Sequence, residues 1–250
     1  MKYALMIRYV GTAFHGYQLQ PGCRTVQGEL NGIMENTFGV PCRITGCSRT
    51  DAGVHANEFC ITVDAPGATI PPERVAVAAI PYLPPDIGVK DARFCSDEFH
   101  PRYDAVAKEY VYRIHNSKIP DPFLYQRVWF LPRLLSEEGI GKMRLAASYL
   151  CGRHDFVSFQ ADDADTEDTV REVYETSLTK TGDVLEFRIR ANGFLYNMVR
   201  IIVGTLTEVG FGKRAPEDIR TILAARDRRL AGMTAPADGL YLDRVFYDRF

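Results

Sequence analysis

Polar and apolar side chains alternate at the start of the chain, with apolar residues at every second position from Tyr3 to Tyr9. This two-residue period predicts a β-strand over residues 2–10. After Thr25 the apolar residues instead recur every three or four positions, which predicts a helix with that threonine as its N-cap. The predicted apolar face of this helix consists of Val26, Leu30, Ile33, Met34 and Thr37.

The rest of the first hundred residues completes a β-α-β-β-α-β order. Two strands, a short helix opened by consecutive prolines, and a last strand are predicted at residues 42–47, 55–64, 71–79 and 87–95. This order is that of the split-βαβ, or ferredoxin-like, unit.

The second part of the chain repeats that order. Its predicted elements are a strand at 105–115, a Ser136-capped helix to Leu150, a hairpin at 170–180 and 184–190, helices at 194–209 and 216–225, and a strand at 240–247. We therefore expect an α+β protein with two ferredoxin-like, RRM-like halves, residues 1–104 and 105–250. Their antiparallel sheets are expected to join across a central active-site cleft.

The composition fits a globular protein with a core, since 46% of the residues are hydrophobic and 25% are charged. No apolar run approaches the roughly 18 residues of a membrane span. The first residues lack the apolar segment of a signal peptide, so we expect a cytoplasmic protein without a membrane partner. The cysteines form no C-x-x-C pair and no histidines at ligand spacing accompany them, so reduced core thiols are expected rather than a metal site.

The net charge of −2 excludes a uniformly basic nucleic-acid coat but leaves room for a local RNA-binding patch. Residues 161–168 form an acidic run that predicts a solvated loop. A basic run consists of Lys213, Arg214, Arg220, Arg226, Arg228 and Arg229. For this run the sequence favours a solvated face and phosphate contact equally.

The clearest candidate for chemistry is the segment Arg49-Thr50-Asp51-Ala52-Gly53-Val54-His55-Ala56, which places one carboxylate on a loop before an apolar strand. Arg49 could keep Asp51 ionised or hold a phosphate. From spacing alone, an Asx turn with Gly53 at positive φ explains the segment better than catalysis does.

Two further segments carry polar groups on apolar elements. Tyr110 and Tyr112 share one face of the strand at 105–115, where they could stack on a base or belong to the core. Arg200 interrupts an apolar helix and shares a stripe with Tyr196, Asn197 and Gly204. A charge that close to a packed face needs a partner, and Asp51 is the expected one. The alternative is that Arg200 extends to solvent.

These three segments, together with Tyr-Val-Gly-Thr-Ala-Phe-His-Gly-Tyr-Gln at residues 9–18, resemble the tRNA pseudouridine synthase A family over essentially the whole chain. The resemblance implies a homodimeric isomerase that converts uridine to pseudouridine at positions 38, 39 and 40 in the anticodon arm of tRNA. It implies a flipped-out uridine and neither a metal nor a cofactor. Ser48 and Tyr17 depart from the family pattern, where glycine and tryptophan are common.

The resemblance also implies residue roles. Asp51 corresponds to the nucleophile, and Arg200 to the arginine that pairs with it. Arg49 corresponds to the arginine that helps to extrude the base, and Tyr110 to the tyrosine that stacks on the uracil and could act as a general base. Attack at C6 of the base and attack at C1′ of the ribose both remain open.

Two rival functions lead to different expectations. A non-catalytic RNA-binding module would use the surface aromatics of a split-βαβ sheet, but the chain lacks an RNP1-like run. A hydrolase would need a second acid beside Asp51, which would be Glu58 or another carboxylate, but Glu58 and Asp64 lie too far along the predicted strand to form an obvious pair with it.

Overall fold

The structure is a computed structural model that describes residues 1–161, 166 and 168–248. Within those residues the chain is a mixed α+β protein, which confirms the predicted class. Most of the acidic run at residues 161–168 lies outside the described residues. None of the helices in the described ranges has the length and hydrophobicity of a membrane-spanning segment.

The strands and helices are numbered in chain order. The strands are β1 (Lys2–Tyr9), β2 (Arg43–Gly46), β3 (His55–Asp64), β4 (Ile87–Phe94), β5 (Ala105–His115), β6 (Trp129–Phe130), β7 (Gly152–Asp155), β8 (Val170–Thr181), β9 (Val184–Ala191) and β10 (Leu240–Tyr247). The helices are α1 (Val26–Phe38), α2 (Pro72–Ala79), α3 (Glu137–Ser148), α4 (Met198–Gly210) and α5 (Asp218–Ala225).

The chain divides into two compact units. The first contains Met1–Val106 together with Tyr241–Phe250, and the second contains Ala107–Leu240. The closing strand β10 therefore falls almost entirely in the first unit, whereas the sequence division placed it in the second half. The reason is that β10 pairs in parallel with β3, a partner that hydrophobic periodicity cannot identify.

The first unit is built on the strand order β4-β1-β3-β10, with β2 also paired to β3. The alternating start of the chain forms β1, in which Tyr3, Leu5 and Ile7 are fully buried. Helix α1 begins at the predicted cap, because the Thr25 hydroxyl accepts a hydrogen bond from the Gly28 amide at 3.2 Å.

The second unit is built on the strand order β5-β9-β8-β7, with β6 paired in parallel to β5. The predicted hairpin is confirmed as β8 and β9, and the Ser136 hydroxyl caps α3 by accepting from the Gly139 amide at 3.0 Å. Strands β6 and β7 were not predicted. They span two and four residues, too few for a two-residue period to emerge.

The start of α4 differs from the prediction. The apolar pattern placed it at residue 194, but the helix begins at Met198 because Asn197 has a left-handed φ of 58°. Leu195 is buried as expected, yet it lies before the helix. Tyr196 also precedes the helix and is 46% exposed, so it does not form the predicted helical stripe with Arg200.

Candidate active site

Asp51 lies on the loop between β2 and β3, in the first unit. Gly53 has the left-handed φ of 81° that the sequence suggested, and the Val54 amide donates to the Asp51 carbonyl at 3.2 Å. The loop is therefore a tight turn that leads directly into β3. The Asp51 side chain is half-buried at the first position of this turn.

Residues 9–17, here called the supporting segment, hold the Asp51 loop from both sides. On one side, the hydroxyls of Tyr9 and Thr50 share a hydrogen bond of 2.7 Å, and the Tyr17 amide donates to the Thr50 carbonyl at 3.1 Å. On the other side, the Gly53 amide donates to the Phe14 carbonyl at 3.2 Å. The backbone before and after Asp51 is thus fixed by hydrogen bonds, as a positioned reactive group requires.

Two glycines allow the supporting segment to approach the Asp51 loop this closely. A Cβ atom on Gly11 would lie 2.0 Å from the Val54 carbonyl oxygen. Gly16 has a φ of 83°, and a Cβ there would lie 2.7 Å from the Thr50 carbonyl oxygen. These contacts explain why the motif at residues 9–18 belongs to the site although its side chains carry no obvious chemistry.

His55 supports the loop from the strand side. Its Nδ1 accepts a hydrogen bond from the Gly11 amide at 3.0 Å, and its ring stacks on Tyr241 with centroids 4.6 Å apart. The side chain is 1% exposed. Sequence reasoning gave His55 no role, and the structure identifies it as a buried support that ties the supporting segment, β3 and β10 together.

Arg49 is exposed two residues before Asp51. It makes no hydrogen bond or ion pair with another described residue. A guanidinium with this freedom on the rim of a fixed loop is suited to contact a ligand rather than to stabilise the fold.

The two tyrosines of β5 have different environments in the second unit. Tyr112 is fully buried and its hydroxyl donates to the Pro236 carbonyl at 2.7 Å, so it is a core tyrosine. Tyr110 is 7% exposed and meets the ring of Phe194 edge-on, with centroids 4.9 Å apart. Of the two tyrosines, Tyr110 therefore stays the candidate for stacking on a nucleobase.

Arg200 lies in the first turn of α4, and protein oxygens hold its guanidinium. Its Nε donates to the Ala235 carbonyl at 2.8 Å, and its Nη1 donates to Oδ1 of Asn197 at 2.6 Å. The left-handed backbone of Asn197, which sequence reasoning missed, thus places an amide oxygen against the arginine. These contacts orient the guanidinium and do not match an arginine that simply extends to solvent. The pairing of Arg200 with Asp51 stays a prediction.

The charge of Arg200 also acts on its surroundings. Burial raises the pKa of the Tyr112 hydroxyl above its ordinary value, and the Arg200 charge opposes part of that rise. The guanidinium is therefore a source of positive potential inside the second unit, close to the strand that carries Tyr110.

Glu58 is poorly placed to act as the second acid of a hydrolase. Its carboxylate forms an ion pair with Lys90 and lies 3.7 Å from Nε of Arg244. Within the described ranges, no three His, Cys, Asp or Glu side chains are grouped so that they could hold a metal ion. What the described residues offer is a carboxylate on a fixed loop in the first unit, and an oriented guanidinium and a buried tyrosine in the second.

Comparison with known proteins identifies relatives over the full chain. A family model described as tRNA pseudouridine synthase matches residues 146–248. The chain is 46% identical over 252 residues to tRNA pseudouridine synthase A of Bacillus pumilus, covering 99% of this chain and 100% of that protein. It is 45% identical over 250 residues to the Bacillus subtilis protein of the same name, with the same two coverages. The Geobacillus kaustophilus protein is 46% identical, covering 97% of this chain and 93% of its own length.

Proposed function

The chain belongs to the tRNA pseudouridine synthase A family, and from this membership we propose that it isomerises uridine to pseudouridine at positions 38, 39 and 40 in the anticodon arm of tRNA. It is an enzyme of the isomerase class, so the reading of the chain as a non-catalytic RNA-binding module is not favoured. The observation that supports the active-site assignment best is the fixed Asp51 loop. Its backbone is held on both sides, and the side chain of Asp51 is half-buried rather than enclosed in the core.

Asp51 is the proposed nucleophile. A carboxylate can attack carbon only in its ionised form, and a nearby arginine favours that form. Arg200 is the proposed partner, because its guanidinium is already oriented by the Ala235 carbonyl and the Asn197 amide. Its role is to position Asp51 and to keep the carboxylate ionised, without contacting the reacting atoms.

The reaction begins with a uridine that leaves the base stack, which costs a few kcal/mol. The exposed Arg49 fills the gap that the base leaves. Tyr110 provides the face on which the uracil stacks. Phe194 meets Tyr110 edge-on, which fixes the plane of the tyrosine ring.

Asp51 then forms a bond to C6 of the uracil or to C1′ of the ribose, and the glycosidic bond from N1 to C1′ breaks. The uracil turns in the pocket and joins C1′ through C5. The proton on C5 is lost to a base, for which Tyr110 is the candidate, N1 takes up a proton, and the bond to Asp51 is released. The product has the same composition as the substrate and no electrons are transferred, so the steps need neither a metal nor a cofactor.

We propose further that the enzyme acts in the cytoplasm as a homodimer. We also propose that residues 1–104 form a ferredoxin-like half that carries the Asp51 loop, and that residues 105–250 form a similar half that carries Tyr110 and Arg200. These proposals rest on family membership and on the order of elements in the sequence.

The test is pseudouridine formation on unmodified tRNA transcripts, with a chelator present, by wild type and by Asp51→Asn. We expect wild type to modify uridines at positions 38 to 40, and the variant to form no product while it melts and binds tRNA as wild type does. Glu58→Gln serves as the matched carboxylate control and should retain activity. Product from Asp51→Asn, or its loss from Glu58→Gln alone, would contradict the assignment of the nucleophile.

A further inference from the structure

A groove of about 780 Å³ lies in the second unit, between the end of α3, strand β7 and helix α5. The proposed reaction uses none of the residues that line it. Its walls carry Arg153, Arg220 and Arg226, and among the described residues that line it the one carboxylate is Asp155. In a chain whose net charge is −2, this groove concentrates positive charge on a concave surface.

Arg220 is held in a way that leaves its donors free to bind. Its Cζ lies 4.0 Å from the centre of the Tyr149 ring, so the guanidinium is placed over the aromatic face by a cation–π contact. This contact uses none of the N–H groups of the guanidinium. These groups present the planar donor arrangement that matches a phosphate group.

Arg153 and Arg226 complete the charged surface. Neither Arg153 nor Arg220 forms an ion pair with any other described residue. Arg226 contacts Asp155 at 3.0 Å, but its side chain stays 68% exposed. Asp155 in turn accepts from the Thr169 hydroxyl at 2.6 Å, so its charge is shared among several donors.

The other three arginines of the basic run are engaged elsewhere. Arg214 is paired with Glu208, and Arg229 is paired with Asp227 at 2.7 Å. Arg228 donates to the Gly232 carbonyl at 2.9 Å. The structure thus separates a run that the sequence could not interpret: some of its arginines stabilise loops, and Arg220 and Arg226 line the groove.

We propose that this groove binds backbone phosphates of the tRNA substrate, as a docking site apart from the residues that carry the chemistry. The inference rests on the proposed function, because it takes tRNA as the ligand. Arginines that contact phosphates contribute affinity without reading sequence, so the groove would position the tRNA body and not select the target uridine.

The experiment measures the affinity for a fluorescently labelled, unmodified tRNA transcript over a series of salt concentrations. The variants are Arg220→Ala and the triple variant Arg153→Ala/Arg220→Ala/Arg226→Ala. We expect Arg220→Ala to weaken binding about tenfold at low salt, because a charged hydrogen bond is lost. The triple variant should reduce the slope of log affinity against log salt by about 2 to 3, close to one for each lost phosphate contact.

Arg229→Ala is the matched control, since Arg229 is an exposed arginine of the same basic run that is paired with Asp227 outside the groove. It should leave the affinity and the salt slope unchanged. Cys151 lines the groove and is exposed, so bound tRNA should slow its alkylation in wild type but not in the triple variant.

Three outcomes would overturn the proposal. The first is a folded triple variant with wild-type affinity and slope. The second is a variant that melts at lower temperature but binds tRNA normally, which would show that the arginines only neutralise the carboxyl ends of α3 and α5. The third is binding of inorganic phosphate that depends on Arg220 without any effect on tRNA affinity, which would mark a site for a free anion.

Failure of the groove can be told apart from failure of the proposed function. Pseudouridine formation at saturating tRNA should be normal in the triple variant, because the groove contributes binding and not chemistry. If wild type forms no pseudouridine, but the variants lose tRNA affinity as predicted, the proposed function is refuted while the groove is still supported as a tRNA-binding site.

Discussion

At the scale of single residues, Tyr17 is the least satisfied side chain in the supporting segment. It is 3% exposed, and its hydroxyl has no hydrogen-bond partner among the described residues. Its ring stacks on Phe59 with centroids 4.5 Å apart and passes so close to Gly46 that a Cβ there would lie 2.4 Å from the Tyr17 hydroxyl. The family pattern commonly has tryptophan at this position, so the ring fulfils a packing role and the hydroxyl adds only a desolvation cost.

We predict that Tyr17→Phe raises the free energy of unfolding by about 1 kcal/mol, because it removes a buried polar group that forms no hydrogen bond. Urea unfolding provides the measurement. The control is Tyr3→Phe, in which the lost hydroxyl donates to the Ile70 carbonyl at 2.9 Å and whose removal should destabilise the protein. If Tyr17→Phe lowers the free energy of unfolding as much as Tyr3→Phe does, the Tyr17 hydroxyl forms a hydrogen bond in solution.

The sequence predicts residues well where their chemistry is local. Thr25 and Ser136 are helix caps as expected, since a cap bonds an amide three positions away. Asp51 and Arg200 stand out as isolated charges beside apolar segments. The sequence grouped Asn197 with Arg200, but the left-handed backbone of Asn197 could not be anticipated, because it leaves no mark on hydrophobic periodicity.

At the scale of elements, the Asp51 loop and the supporting segment act as one unit. Each contributes backbone donors or acceptors to the other, and the contact is as close as Gly11 permits. The loop itself could be recognised from its eight residues. The role of the supporting segment could not be recognised, because it depends on the positions of backbone carbonyls some thirty to forty residues before the loop.

We predict that Gly11→Ala reduces kcat/KM by on the order of 10²-fold, because the new methyl group must push Val54 and displace the loop that holds Asp51. It should also lower the free energy of unfolding by about 1–3 kcal/mol through overpacking. The kcat/KM is measured on tRNA transcripts, and the free energy of unfolding is measured by urea unfolding.

Gly32→Ala is the matched control for Gly11→Ala. Gly32 is exposed in α1, and a Cβ there would meet nothing within 4 Å. Activity should be unchanged and stability should rise by about 0.5–1 kcal/mol, the helix preference of alanine over glycine. If Gly11→Ala were as well tolerated as Gly32→Ala, the supporting segment would not determine the loop position.

At the scale of the whole molecule, the α+β class and most elements followed from alternation and helical spacing, but the grouping of strands did not. Strand β10 comes last in the chain and pairs in parallel with β3, with Tyr241 opposite His55. Pairings between strands so distant in sequence depend on the assembled sheet, and local patterns carry no information about them. By its contacts β10 groups with the first unit, although it comes last in sequence order.

The folded protein also buries several groups in their neutral forms. Burial raises the pKa of the Cys60 thiol from 9.0 to about 12, and it raises the pKa of the Tyr17, Tyr112 and Tyr247 hydroxyls above the ordinary value of 10.0. In the unfolded chain these groups ionise at their ordinary values. The stability that they contribute is therefore fully present below about pH 9 and is lost as the pH rises toward 12.

We predict that the free energy of unfolding is nearly constant from neutral pH to about pH 9 and then decreases steeply, with most of the decrease above the ordinary tyrosine pKa of 10.0. Urea unfolding in a series of alkaline buffers provides the measurement. Tyr17→Phe should show a shallower decrease than wild type, because one of the titrating groups is gone. A pH-independent stability across this window would refute the prediction.

The parallel pair of β3 and β10 has a consequence for the growing chain on the ribosome. His55 stacks on Tyr241, and Asn57 donates to Asp243 at 2.6 Å across 186 positions of sequence. At about 5–20 residues per second, the ribosome needs roughly 10–40 s to make the intervening chain. During that time the turn that carries Asp51 lacks the contacts that β10 makes with β3. A nascent chain can therefore hold every residue of the proposed chemistry and still be inactive until its last strand emerges.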